Sequence, residues 1–232
     1  MNKVESHAEV LSRHVQFSGK TVLDVGCGTG DLVRWMARKG AFVMGIDTLE
    51  MITRAENFER SGNERYLVSS AQDLPFRSQY ADIILYIASL HHVPEEEMKN
   101  ALERCHRILK PGGAAVFVEP VAQQGSYYEI VRLEGDEAEI QAKAYDLLLR
   151  AEDFGFTMRT EEKYYLERSF DDYVRLLEVF VNDKVRRDDI LAKAEVVTEQ
   201  LCRESGARFE EYRYRSICRL NIMDKTVSTE LR

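Results

Sequence analysis

Val22-Leu23-Asp24-Val25-Gly26-Cys27-Gly28-Thr29-Gly30 is an apolar run that breaks at once into a glycine-rich turn, with a helical pattern opening near Asp31. A strand that turns sharply into a helix needs glycine where the chain doubles back and where a ligand must come close to the backbone. The freed N–H groups and the helix N-terminus then favour a polar or anionic part of that ligand. The spacing is GxGxG, not the GxGxxG of the dinucleotide fingerprint, and Asp31 stands at the sixth place, where an acid opposes a pyrophosphate. A glycine turn after a strand also occurs as plain packing, so the turn alone assigns no ligand.

Working outward, short β-branched runs alternate with helical segments through the first 120 residues. Thr21–Val25, Phe42–Ile46, Tyr66–Ser69, Ile83–Ile87 and Ala114–Val118 read as strands. They are continuous apolar runs, the pattern of strands buried on both faces of a parallel sheet. Leu32–Lys39, Met51–Arg60 and Glu96–Leu109 have helical spacing, with stops at Gly40 and at Pro111-Gly112-Gly113. This βαβαβ series predicts a doubly wound α/β sheet with right-handed crossovers. Beyond residue 120 the chain turns Tyr-rich and acidic. Glu129–Phe154, Phe170–Val181 and Ile190–Glu204 read as helices, Lys163–Glu167 as a strand, and Tyr212–Ile222 shows the period-2 pattern of another strand.

The second predicted strand is followed by Asp47, 21 positions after Gly26. A carboxylate there can accept both hydroxyls of a ribose, in NAD and in other adenosine cofactors alike. The alternative is that Asp47 caps the helix opening near Leu49, since Asp is a favoured N-cap.

Composition narrows the partners. The chain has 232 residues, 44% apolar and 31% charged, with a formal charge of −8. Residues 1–120 hold 16 acids against 14 bases, which leaves the second half most of the negative charge. That balance offers no electrostatic footprint for a phosphate backbone, so no nucleic-acid partner is expected. Cys27, Cys105, Cys202 and Cys218 form no CxxC pair and have no histidines at zinc-ligand spacing, so no metal is expected. The N-terminal segment lacks the apolar core of a signal peptide. The longest apolar stretch, Ile83 to Leu90, is far short of the ~20 residues of a membrane span. The expectation is a cytoplasmic protein that does not enter a membrane.

Taken together, the segments resemble class I S-adenosylmethionine-dependent methyltransferases. VLDVGCGTG at 22–30 is similar to that family's first motif and GIDTLEM at 45–51 to its ribose-binding turn. SSAQDLPF at 69–76, ADIILYIASLHHV at 81–93 and LKPGGAAVFVEP at 109–120 match the later stations in order. The resemblance covers about residues 15–120 and implies a seven-stranded, mostly parallel sheet whose last strand, the run at 212–222, is antiparallel. It implies one domain over 1–232: a cofactor core at 15–120, helical insertions forming an acceptor-side lid at 121–208, and the last strand and tail at 209–232. The cofactor set implied is Asp24, Gly26, Gly28, Asp47, Thr48, Met51, Ala71, Gln72 and Ile87. Gly26 and Gly28 would face the methionine part, Asp47 the ribose, Met51 and the Ala71 N–H the adenine. The family pattern usually has Asp at the position of Ser70; Asp73 does not align with it, so Gln72 or Ser70 is left for the adenine amino group.

The implied activity is transfer of the methyl group of S-adenosylmethionine, with S-adenosylhomocysteine as product. Displacement at a sulfonium needs alignment above all, and a general base only when the acceptor arrives protonated. His91 and His92 follow the fourth strand, near where the methyl group would lie, and are the candidate catalytic residues. The LHHV run also resembles one found in family members with unrelated acceptors, which favours a structural or cofactor-side role. Glu119, Tyr127 and Tyr128 are further site-facing candidates. The long insertions suit a buried small-molecule acceptor. Tyr127, Tyr128, Tyr164, Tyr165 and Tyr173 would line an aromatic pocket for it or form part of the core. Alternatives are a protein or RNA methyltransferase of the same fold, or a module that holds the cofactor without catalysis.

Overall fold

A computed structural model describes residues 4–226. Its strands are β1 (Thr21–Val25), β2 (Phe42–Asp47), β3 (Asn63–Val68), β4 (Ala81–Ile87), β5 (Leu109–Pro120), β6 (Phe156–Arg168) and β7 (Tyr214–Lys225). They form one seven-stranded sheet in the order β3-β2-β1-β4-β5-β7-β6. β1 pairs in parallel with β2 and β4, β2 with β3, and β4 with β5. The sheet is mostly parallel and its end is antiparallel. The bonds from Val121 N to Ile217 O and from Tyr127 N to Arg215 O show that reversal just past β5, the numbering rising on one side as it falls on the other.

The order reverses between β1 and β4, and the carboxyl ends of strands flanking such a switch point are where open α/β sheets bind ligands. β1 and β4 are buried along nearly their whole length, as strands covered on both faces must be. Tyr86 of β4 and Phe117 of β5, both fully buried, stack with centroids 5.1 Å apart. The helices are α1 (His7–His14), α2 (Asp31–Arg38), α3 (Leu49–Ala55), α4 (Glu95–Ile108), α5 (Tyr128–Val131), α6 (Ala138–Leu149), α7 (Phe170–Phe180) and α8 (Lys184–Ser205).

The described chain divides into two compact units. One comprises residues 6–119, 143–162 and 219–226 and holds the parallel strands; the other comprises residues 4–5, 120–142 and 163–218. The second unit has a core of its own, built from Ile130, Tyr173, Leu177, Val181, Ile190, Ala194 and Tyr214. Residues 227–232, the end of the expected tail, lie outside the described residues. Among the described residues no helix is long and apolar enough to cross a membrane.

Several elements depart from the sequence reading. The helix expected at Met51–Arg60 ends at Ala55, and β3 starts at Asn63 instead of Tyr66. The helix expected at Glu129–Phe154 breaks: Asp136 accepts a 3.0 Å bond from Ala138 N and starts α6 afresh after α5. Pro111-Gly112-Gly113 does not separate helix from strand. α4 runs directly into β5, and the three residues bulge between the pairs Ala81–Leu109 and Ile83–Ala114. β6 is 13 residues long, not five, because its exposed face carries Thr157, Arg159 and Glu161 and conceals the strand from a hydropathy pattern.

Candidate functional site

Every residue of the implied cofactor set lies at or beyond the carboxyl ends of β1 to β4. β1 delivers Asp24, Val25 and the glycine turn; β2 ends on Asp47; Ala71 and Gln72 follow β3 in a 3₁₀ turn, Ala71–Asp73; β4 ends on Ile87. The Asp47 carboxylate ties two of these pieces together. Its Oδ2 accepts from Gly28 N at 2.8 Å, and its Oδ1 from Thr48 N at 2.7 Å. Each carboxylate oxygen has room for a second donor, so a half-buried Asp47 keeps acceptor capacity for a ligand's hydroxyls. Asp47 is not the cap of α3. That role belongs to Thr48, whose hydroxyl accepts from Met51 N at 3.4 Å. Ser69 N bonds to Asp47 O at 3.2 Å, which brings the turn after β3 beside the same acid.

Two glycines of the turn serve different ends. Gly26 has φ +78°, and a Cβ there would collide with the Ser89 side chain, whose Oγ donates to Val25 O at 2.6 Å. This glycine lets the Ser89 segment approach closely. Gly28 has φ +54° and nothing within 4 Å of an added Cβ. That side of the turn is open.

Asp24 is 2% exposed, and its Oδ1 has no hydrogen-bond partner. Burial first, and the charge of Asp47 second, push its carboxyl up to about 7. The Cys27 thiol is raised by burial and by the same two acids, so it stays protonated and unreactive. Asp31, the acid at the fingerprint's sixth place, is ion-paired with Arg34 at 2.5 Å. Arg34 is itself buried, bonds Thr29 O at 2.8 Å and lies over the Phe58 ring. The charge of Asp31 is therefore partly compensated, and the missing glycine disfavours a pyrophosphate more than the acid does.

Of the adenine-side candidates, Ala71 and Gln72 are half-buried and Met51 is 9% exposed, packed into α3's inner face. Ser70 caps the 3₁₀ turn and donates to Asp73 Oδ2 at 3.5 Å, so the acid that does not align in sequence comes beside Ser70 in space. A groove of about 540 Å³, lined by Thr21, Phe42, Met44, Asn63 and Arg65 among others, lies at the amino ends of β1–β3. It is at the other end of the strands and holds none of these residues.

The two histidines separate. His91 is 5% exposed and His92 is exposed, with ring centroids 4.2 Å apart. His91 Nδ1 bonds to Oε2 of Glu119, near the end of β5. Glu119 is 3% exposed, and its Oε1 accepts from Leu90 N at 2.9 Å and Ser89 N at 3.2 Å. Glu119 thus anchors the whole segment after β4. The sequence marks Glu119 as a site-facing candidate at the end of a strand but does not reveal its pairing with His91. The tyrosines are chiefly core: Tyr164 and Tyr173 are fully buried, and Tyr127 packs edge-on against Tyr173 and Tyr214. Tyr128 bonds outward to Asp136 at 3.0 Å.

Residues 23–117 match the family model for a methyltransferase domain. A ubiquinone biosynthesis O-methyltransferase of Pseudomonas syringae pv. tomato (strain ATCC BAA-871 / DC3000) is 34% identical over 111 residues, covering 46% of this chain and 47% of that protein. The chain spans about half the length of the curated relatives it matches. Among solved structures, a Bacillus halodurans C-125 protein assigned to the methyltransferases superposes with a TM-score of 0.68 at 17% identity, covering 96% of this chain and 100% of that one. The [4+2]-cyclase SpnF superposes with a TM-score of 0.63 at 21% identity, covering 95% and 79%. These likenesses speak for the fold, and a fold by itself does not assign chemistry. The matched motifs in 23–117 and the strand order around them make residues 23–117 similar to a methyltransferase domain, set in the Rossmann-like, class I fold.

Proposed function

We propose that this protein transfers the methyl group of S-adenosylmethionine to a small-molecule acceptor and releases S-adenosylhomocysteine. The observation that carries the reading is a buried carboxylate oxygen without a partner, Asp24 Oδ1, beneath an open glycine turn and beside the half-buried Asp47. A buried polar atom left unpaired costs free energy unless a ligand or water completes it. A cofactor with an ammonium at one end and a ribose diol at the other suits both acids. Asp24 would hold the ammonium, Asp47 the ribose, with Gly26, Gly28, Thr48 and Ile87 framing the space and Met51, Ala71 and Gln72 on the adenine side. When bound, the cofactor supplies a methyl group already activated on a sulfonium, so the protein's share of the work is alignment.

The O-methyltransferase relatives make a hydroxyl the first acceptor to test. A phenol must lose its proton, and His91 is the best-supported base, because Glu119 on Nδ1 fixes the orientation of the ring. The exposed His92 stands as the cofactor- or acceptor-side neighbour. The net charge of −8 supports a small molecule over RNA as acceptor, and four free cysteines support a reducing, cytoplasmic setting.

Thermal shift tests the cofactor. S-adenosylmethionine and S-adenosylhomocysteine are expected to raise the Tm, by several degrees at saturating ligand, and NAD is not. Stabilisation by NAD alone would sink the reading. Incubation with S-adenosylmethionine and pooled phenolic metabolites, followed by mass spectrometry, is expected to show S-adenosylhomocysteine and a product one methyl group heavier. Binding with no such release for any acceptor would favour a cofactor-holding module.

A further inference from the structure

We propose that capture of the cofactor is coupled to loss of a proton from Asp24, so that the site holds its ligand more tightly as pH rises towards neutrality. The proposal rests on the S-adenosylmethionine reading and adds a regulation to it. Asp24 sits in β1 with Gly45 of β2 and Leu85 of β4 as its register partners, neither of which has a polar side chain. It is 2% exposed and Oδ1 has no partner.

The charged and titratable groups around it are few. From β2 comes Asp47, a second carboxylate. From the glycine turn comes Cys27, protonated. Arg34 of α2 is committed to Asp31, Thr29 O and the Tyr66 hydroxyl of β3. Tyr86 of β4 pairs in register with Val25, so its phenol lies on the face of the sheet opposite Asp24. In the segment after β4, His91 is committed to Glu119. Among the described residues no cation pairs with Asp24. Burial and Asp47 accordingly raise its carboxyl to about 7, so without a ligand bound it holds a proton through mildly acidic pH.

An ammonium brought against Oδ1 reverses that preference, because an opposite charge favours the ionised form. The O–H bond of the carboxyl breaks, the proton goes to solvent, and the carboxylate pairs with the ammonium. The ligand's own charge does not change.

Isothermal titration calorimetry of the full chain, run in buffers of different ionisation enthalpy, reads this directly. With S-adenosylhomocysteine at about pH 6, release approaching one proton per site is expected, and by linkage the Kd falls by up to about tenfold per pH unit until about pH 7. 5′-Methylthioadenosine, which keeps the adenosine and lacks the ammonium, is expected to bind with no release. Asp24→Asn is expected to abolish both the release and the pH dependence while circular dichroism stays native. If S-adenosylhomocysteine binds without releasing a proton, or if Asp24→Asn or 5′-methylthioadenosine gives the same release, the coupling is wrong and the cofactor reading stands. If S-adenosylhomocysteine does not bind at any pH, the cofactor reading falls and takes the coupling with it.

Discussion

A single carboxylate, Asp47, joins the glycine turn to α3 and keeps capacity for a ligand. Hydrogen bonds to a charged acceptor contribute about 1.5–3 kcal/mol each. Asp47→Ala is therefore expected to weaken S-adenosylhomocysteine binding by at least about tenfold in calorimetry, with native circular dichroism. Unchanged affinity would reduce Asp47 to a brace for Gly28. Gly26 carries the opposite kind of demand. Ala there would need a left-handed backbone and would press its Cβ into Ser89. Strain and overpacking together are expected to cost about 2–4 kcal/mol in urea unfolding. A loss well under about 1 kcal/mol would mean that Ser89 gives way and that the close approach is not what requires glycine.

Among the elements, α7 shows how a short polar signature is converted into packing. Ser169 accepts from Asp172 N at 3.1 Å, and Asp172 Oδ2 accepts from Ser169 N at 2.8 Å, a reciprocal capping box. The capped helix presents Tyr173 and Leu177 to the core of the second unit. Ser169→Ala is expected to cost about 1 kcal/mol, read as a lower denaturation midpoint. The Ser169 N–H and hydroxyl hold the Asp172 carboxyl below its ordinary range. A depressed carboxyl stabilises above its unfolded pKa and loses that stabilisation as pH falls through the folded one. The gap between wild type and Ser169→Ala should therefore shrink in acid, below about pH 4. A gap that persists there would assign the effect to the hydroxyl alone.

Over the whole molecule the pH dependence is governed by two acids that move the other way. Asp24 and Glu134, one in each unit, are both raised to about 7. For Glu134, burial outweighs the Tyr173 hydroxyl that would lower it, and Glu137 adds to the rise. A raised carboxyl stays protonated in the folded state while the unfolded chain ionises, so the unfolded state binds fewer protons between about pH 4 and 7. Stability of the ligand-free protein is expected to fall across that window, by a few kcal/mol, and to level off above about pH 8. Urea midpoints from pH 5 to about 8 check it, and Asp24→Asn should flatten part of the slope. A rise in stability over the same range would contradict the protonated state of both groups.

The strands β1 to β5 and the glycine turn were legible because each depends on its own neighbours in the chain. A continuous apolar run requires cover on both faces, and a positive φ requires glycine whatever surrounds it. The resemblance put its implied cofactor residues at the carboxyl ends of those strands because each motif is written along one continuous stretch of chain. What lay beyond local reading depended on partners far apart in sequence. Thr48 rather than Asp47 caps α3 because Asp47 is drawn to Gly28 N across the turn. His91 belongs with Glu119 only because β4 and β5 run side by side. Tyr164 and Tyr173 became core instead of pocket, and β6 ran more than twice its visible length with charged residues on its outer face. Side-chain pattern determines which segments become strands and helices; the burial of Asp24, Glu119 and His91, and the raised carboxyl of Asp24, come from the sheet order that closes around them.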